Sequence, residues 1–272
     1  MTKIPVYVID AFTKKVFSGN PAAVCPLEEW LPDEQMQMIA RAHNLSETAF
    51  FVKRADGTYD LRWFTPEIEV DLCGHATLAS AFVIFNHLDS ASASLSFVTR
   101  KSGTLTVERD GDRLAMNLPA WQPAPISAPA SAPDELLKGL GGKPREVLRS
   151  RDYFVVYDSE AEVRSLNPDM NLLTKLDCLG IIATAAGDDC DFVSRFFAPG
   201  AGVAEDPVTG SAHCTLIPYW SERLGKRQMH ARQVSQRGGE LFCEDMGDRI
   251  KLSGYAARYS EGFLYLDTEK TG

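Results

Sequence analysis

Residues 62–79 read RWFTPEIEVDLCGHATLA, and residues 195–212 read RFFAPGAGVAEDPVTGSA. Laid over one another without a gap, at a constant offset of 133 residues (195 minus 62), they put Arg62 on Arg195, Phe64 on Phe197, Pro66 on Pro199, Val70 on Val203 and Ala79 on Ala212. Trp63 falls on Phe196, one aromatic replacing another. Both stretches also follow one physical plan: an aromatic strand, a proline turn, a loop, then a small-residue entry into an apolar helix. A shared order of this kind at a fixed period is the mark of an internal duplication. The expectation is an α+β chain of two pseudo-symmetric domains.

In this register Cys73 lies over Asp206, so each half offers one chemically able side chain where a loop opens a helix. A helix N-terminus presents unpaired backbone N–H groups and the positive end of the helix dipole, and therefore suits a carboxylate. Gly74 and Gly210 let backbone amides approach such a ligand, and Thr77 and Ser211 are of N-cap type. A glycine followed by Ser or Thr at a helix start is common in any fold; it is the mirrored pair that points to a site.

Working outward, the early segments VYVID and AAVCPL read as short strands, and LPDEQMQMIARAHN reads as a helix with Pro32 at its first position and Asn44 at its end. His43 lies on the apolar stripe of that helix and reads as a packed residue. TAFFV (48–52) and YDLRWF (59–64) are strand-like, as are 94–99, 103–108 and 112–118. The Pro-rich segment AWQPAPISAPASAPDE then suits neither a helix nor a central strand. It divides the chain into residues 1–119, a linker over 120–135, and a second half beginning at 136. Strands near 145–156, 179–184 and 191–197, a helix after 211 and further strands from about 232 follow, with YSEGFLYLD as the last.

The chain has 272 residues, 44% hydrophobic and 24% charged, with a net charge of −9. That is the composition of a folded globular protein. The acidic balance argues against a nucleic-acid or anionic-membrane surface, and an anionic substrate must be captured by local donors. No stretch approaches the apolar length of a membrane span, and the opening MTKIPVYVID has no leader-like pattern, so a cytoplasmic protein is expected. Six cysteines (25, 73, 178, 190, 214 and 243) are scattered without C-x-x-C pairs and read as reduced thiols. No metal site is expected, because no His is paired with Cys, Asp or Glu at ligand spacing; His87 and His230 carry no supporting pattern. Phosphate-loop and dinucleotide signatures are absent, GLGGK (139–143) lacking the strand-then-helix context.

Four stretches taken together, DAFTKKVFSGNPAAVC (10–25), LSETAFF (45–51), DLCGHATLASA (71–81) and EDPVTGSAHC (205–214), resemble the PhzF-type phenazine-biosynthesis proteins of the diaminopimelate-epimerase-like fold. The resemblance covers essentially the whole chain. It implies that each domain is a curved mixed β-sheet or barrel wrapped around a central helix. The first domain would be completed by the final strand (about 262–272), the second would span 136–261, and the site would lie between them. It further implies cofactor-free proton transfer at carbon, a small carboxylic acid as substrate, and a homodimer.

Glu47 falls on the family's acid/base glutamate; at the entrance to an apolar strand, desolvation would bring its pKa toward neutrality. His75 falls on a residue that contacts the substrate and relays a proton. Asp206 and Ser211 match the residues holding the other side of the ligand, and Gly74 and Gly210 would give amides to its carboxylate. Ser46 is a further substrate-binding candidate, and Asn20 either contacts the ligand or fixes a turn. Epimerases of this fold use two facing cysteines, whereas this chain has Cys73 and Asp206, so Cys73 reads as a packing residue and His75 as the working side chain. His213 and Cys214 likewise read as packing. The leading expectation is an isomerase that shifts a double bond, on a compound such as a dihydro-hydroxyanthranilate. The alternatives are an epimerase or racemase of an amino or hydroxy acid using Cys73 with Asp206 or Glu47, and a non-catalytic small-molecule binding protein.

Overall fold

The computed structural model describes residues 1–126 and 132–267. The chain divides into two compact units, one formed by Met1–Met116 with the chain from Gly254 onward, the other by Asn117–Ser253.

In the first unit, β1 (Thr2–Ala11) pairs antiparallel with β2 (Asn20–Leu27), and helix α1 (Asp33–His43) leads into β3 (Glu47–Lys53), which runs parallel to β2. Then β4 (Tyr59–Phe64) pairs antiparallel with β3 and carries a short hairpin partner, β5 (Glu69–Val70). Helix α2 (Gly74–Val83) follows, prolonged by one π-helical turn over Ile84–Leu88. Strand β6 (Ser94–Thr99) returns parallel to β4, β7 (Thr104–Asp110) pairs antiparallel with β6, and β8 (Arg113–Pro119) leaves the unit. Nine of the ten α2 residues are buried, so this is a helix apolar all round, as a central helix must be. Helix α1 is amphipathic and places Met36, Ile39 and Ala40 against Ile4, Cys25, Phe50 and Phe64. Pro32 is its N-cap rather than its first residue, and Asn44 closes it in the left-handed conformation.

The second unit repeats this plan. A two-residue strand β9 (Ala124–Pro125) and helix α3 (Asp134–Leu140) precede β10 (Glu146–Arg149) and β11 (Tyr153–Val156), two hairpin strands within the 145–156 stretch read as strand from the sequence. Two short helices, α4 (Glu160–Ser165) and α5 (Met170–Leu173), lead to β12 (Ile181–Ala186), parallel to β11. Strand β13 (Phe192–Ala198) pairs antiparallel with β12, and β14 (Val203–Asp206) is its hairpin partner. Helix α6 (His213–Leu224), buried from His213 to Ser221, is followed by β15 (Gln228–Gln233), parallel to β13, then β16 (Gly239–Asp245) and β17 (Arg249–Gly254). The alternation antiparallel, parallel, antiparallel, parallel, antiparallel therefore matches from β1 to β7 and from β10 to β16. The last strand, β18 (Ala256–Leu266), returns to the first unit, paired along β1 from Thr2↔Leu266 to Ala11↔Ala256.

The duplicated arginines have kept one role. Arg62 grips Glu69 with two bonds of 2.7 Å and lies over the Phe64 ring at 5.0 Å. Arg195 grips Glu205 at 2.7 and 2.9 Å and lies over Phe197 at 4.9 Å. Each fork ties the central strand to its hairpin partner, with the bidentate geometry that arginine alone supplies. The proline-rich stretch expected as a linker forms part of the second unit. Ala120 and Trp121 donate to the carbonyls of Asp248 and Cys214, Ala124–Pro125 pairs with β10, and α3 begins at Asp134; residues 127–131 lie outside the described part. No helix among the described residues is long and apolar enough to cross a membrane.

Candidate active site

Three element starts converge in the first unit. Strand β2 begins at Asn20 because the chain turns at Gly19, where φ is +66° and a Cβ would stand 2.1 Å from the Ala11 carbonyl oxygen. Side chains alternate along a strand, so Asn20, Ala22 and Val24 share one face. The parallel register Ala22↔Glu47 and Val24↔Ala49 puts Glu47 beside them, and α2 packs over β2 and β3. The alanines leave room for the helix to come close. Cys73, extended at φ −138°, is the N-cap of α2, so Gly74 and His75 form its first turn. Thr77 is not a cap: its hydroxyl donates within the helix to the Cys73 carbonyl (2.6 Å).

His75 is 3% exposed. Its Nδ1 lies 3.1 Å from Asn20 Nδ2 and 3.5 Å from Cys73 Sγ, while its Nε2 lies 3.2 Å from Glu47 Oε2, without the alignment of a hydrogen bond. Burial pushes the imidazole pKa down to about 3, because the cation would lose its water. The ring is therefore neutral and holds one proton. With the Asn20 amide donating to Nδ1, that proton sits on Nε2, facing Glu47. Asn20 is fully buried, and its amide meets the histidine, a contact that neither of its two expected roles named. Ser46 is half-buried immediately before β3.

This grouping corrects the argument from spacing that no histidine is paired with metal-ligand residues. Atoms of Glu47, Cys73 and His75 lie within 4.8 Å of one another. The thiol, however, is closest to one ring nitrogen and the carboxylate to the other, on opposite edges of the imidazole. One metal ion needs a single ring lone pair aimed at both partners. The arrangement suits a proton path better than a chelate.

In the second unit the gapless overlay breaks after the proline turn. Phe196 opposes Asp206, whereas its counterpart Trp63 opposes Val70. The second hairpin is thus three residues longer, and Asp206 ends a strand rather than capping a helix as Cys73 does. Gly210 and Ser211 lie in the turn before α6, whose N-cap is Ala212, so Ser211 does not cap it. The Gly210 and Ser211 carbonyls instead accept from His213 and Cys214 in a tightened first turn. His213 donates from Nδ1 to the Thr209 carbonyl (2.9 Å), and burial lowers its pKa to about 4.

Sequence reasoning missed the residues holding Asp206. The Thr209 hydroxyl donates to Asp206 Oδ2 (2.5 Å), and Gln233 contacts both residues. Thr209 was legible as part of the EDPVTGSA motif. Gln233 had no local signal, being brought in from β15.

The model of the family described as phenazine biosynthesis-like protein matches residues 9–262. The chain belongs to the PhzF family. It is 53% identical to an uncharacterized isomerase of Pseudomonas aeruginosa, over 97% of this chain and all of the relative. It superposes on the crystal structure of a PhzF-family phenazine biosynthesis protein of Enterococcus faecalis with a TM-score of 0.92 at 47% identity, over 97% of this chain and all of the other. The fold extends to a hydroxyproline epimerase of Agrobacterium vitis, at a TM-score of 0.65 and 8% identity, over 97% of this chain and 93% of the other. The epimerase-like fold implied by the family resemblance is thus the observed one.

Proposed function

We propose that this PhzF-family chain is a cofactor-independent isomerase of a small unsaturated carboxylic acid, with Glu47 as its acid and base. The observation that carries the reading is the Glu47–His75–Asn20 line, a carboxylate 3.2 Å from one nitrogen of a neutral, buried imidazole whose other nitrogen meets an amide. His75 Nε2, 3.2 Å from Glu47 Oε2, marks the side of the carboxylate turned to the helix, and Glu47 takes a proton from a carbon activated by the substrate's own conjugated carboxylate. The electron pair left on that carbon moves along the conjugated system. Glu47 then returns the proton to a second carbon, so the double bond shifts and no atom is gained or lost. Gly74 at the start of α2 would give its amide to the substrate carboxylate. Asp206 and Ser211 would hold polar substituents of the same molecule, and a dihydro-hydroxyanthranilate meets these requirements.

A second reading draws on the Cys73–His75 contact of 3.5 Å. There the thiol, rather than Glu47, exchanges a proton at a stereocentre, and the product is an epimer.

The test is proton NMR in deuterated water on a panel of unsaturated, amino- and hydroxy-substituted carboxylic acids that includes dihydro-hydroxyanthranilate. Deuterium entering a carbon with a displaced double bond supports the isomerase. Inversion with the bond in place supports the epimerase, and binding without exchange on any acid contradicts both.

A further inference from the structure

We propose that Gln233, acting through Thr209, is a positioning residue that fixes the direction of the Asp206 carboxylate. The inference rests on the reading above for its meaning in catalysis, but the device itself is structural.

Gln233 ends β15 and is 1% exposed; Thr209, in the turn before α6, is 6% exposed. The Gln233 Oε1 accepts from the Thr209 backbone N–H (2.8 Å). Its Nε2 donates to the Asp206 carbonyl (2.8 Å) and to the Thr209 hydroxyl (3.1 Å). One side chain therefore binds the backbone on both sides of the Pro207–Val208 step, and its amide has only one sensible orientation, since a flip would set NH2 against N–H. Having accepted from Gln233, the Thr209 hydroxyl points its own proton at Asp206 Oδ2. Two further bonds hold the same loop. His213 donates to the Thr209 carbonyl, and the Ser235 hydroxyl donates to the Pro207 carbonyl (2.8 Å).

Thr209 is thus held at its N–H, its carbonyl and its hydroxyl. A loop fixed only for folding needs its backbone groups satisfied. It does not need a hydroxyl proton directed at a carboxylate that is itself only half-buried. A hydrogen bond donated to a carboxylate favours its charged form and selects one of its two oxygens. Here it engages Oδ2 and so sets the direction of Oδ1.

The experiment is 13C NMR of the full-length protein labelled at aspartate Cγ, with the Asp206 signal assigned by its loss in Asp206→Asn. Thr209→Val should move the Asp206 titration midpoint up by about one pH unit, the worth of a hydrogen bond to a charged group. Gln233→Leu should move it the same way by less, and Thr209→Ser should restore it. Should Gln233→Leu fail to fold, Gln233→Met, uncharged and closer in length, serves in its place. Wild-type midpoints in folded Thr209→Val and Gln233 variants would overturn the proposal. Deuterium exchange by Asp206→Asn is scored separately. Full exchange alongside shifted midpoints keeps the clamp and removes Asp206 from the reaction, whereas lost exchange with unshifted midpoints removes the clamp and keeps Asp206.

Discussion

His75 Nε2 stands 3.2 Å from Glu47 Oε2, in a pocket where the histidine is 3% exposed and the glutamate side chain 16% exposed. Buried this way, the imidazole is neutral, and its tautomer is set by what touches its other nitrogen. The Asn20 amide does so, from the first residue of β2, and that residue is placed by the Gly19 turn. The chemistry of the glutamate thus depends on a chain of contacts that begins with backbone geometry.

Asn20→Ala should lower the rate of deuterium exchange by about 10- to 100-fold, part of what a well-placed acid–base group supplies. The loss has a structural cause: Nδ1 loses its amide donor and keeps only the weaker Cys73 contact, so the ring is less firmly held in one tautomer. Exchange rates and thermal midpoints measured together check this. Exchange within twofold of wild type would reduce Asn20 to a turn residue.

Cys73→Ala should keep exchange within about threefold of wild type, since on this reading the thiol fills the helix entrance and transfers no proton. The other thiols offer no substitute, because burial raises Cys178 and Cys190 to about 11 and Cys214 to about 12, and pushes Cys25 and Cys243 higher still. Loss of exchange in a folded Cys73→Ala variant would contradict this and favour the epimerase reading.

Stability should fall as pH drops from 6.5 toward 4. Burial lowers His75 to about 3 and His213 to about 4, against 6.5 for an exposed histidine. In that window the unfolded chain binds protons the folded chain refuses, so unfolding becomes easier as acid is added. Their contribution is complete above 6.5 and is lost as pH falls toward the folded values. Urea unfolding at pH 7, 6 and 5 should show this slope, and His213→Asn should flatten it. An unchanged slope in that variant would contradict the assignment.

Gly19→Ala should be much worse than Gly57→Ala. Both glycines have positive φ, +66° and +86°, a backbone cost of about 1–2 kcal/mol for any other residue. A Cβ at Gly57 meets nothing within 4 Å, whereas at Gly19 it runs into the Ala11 carbonyl. Denaturant unfolding should place the difference above about 1 kcal/mol. Equal losses would mean that the Gly19 turn yields.

The duplication was legible because strand aromatics, a turn proline and a strand arginine survive in both halves, and Arg62 and Arg195 do the same work in each. The register beyond the turn was not legible. A three-residue difference in hairpin length leaves no trace when both loops are short and open on a matching proline, so Cys73 was set over Asp206 although one caps a helix and the other ends a strand. Thr77 and Ser211 had the composition of helix caps, but cap identity depends on where the first turn tightens. The metal-like grouping of Glu47 with Cys73 and His75, and the reach of Gln233 to Asp206, join residues far apart in the chain. Spacing cannot report contacts that only sheet register creates. Glu47, His75 and Asp206 stood out because their motifs resemble those of a family.

The central claim is that Glu47 moves the proton. Glu47→Gln keeps the size and polarity of the side chain while removing the base. Exchange in deuterated water should fall by at least about 100-fold, with the thermal midpoint and substrate binding retained. Exchange at the wild-type rate in a folded Glu47→Gln variant would contradict the account.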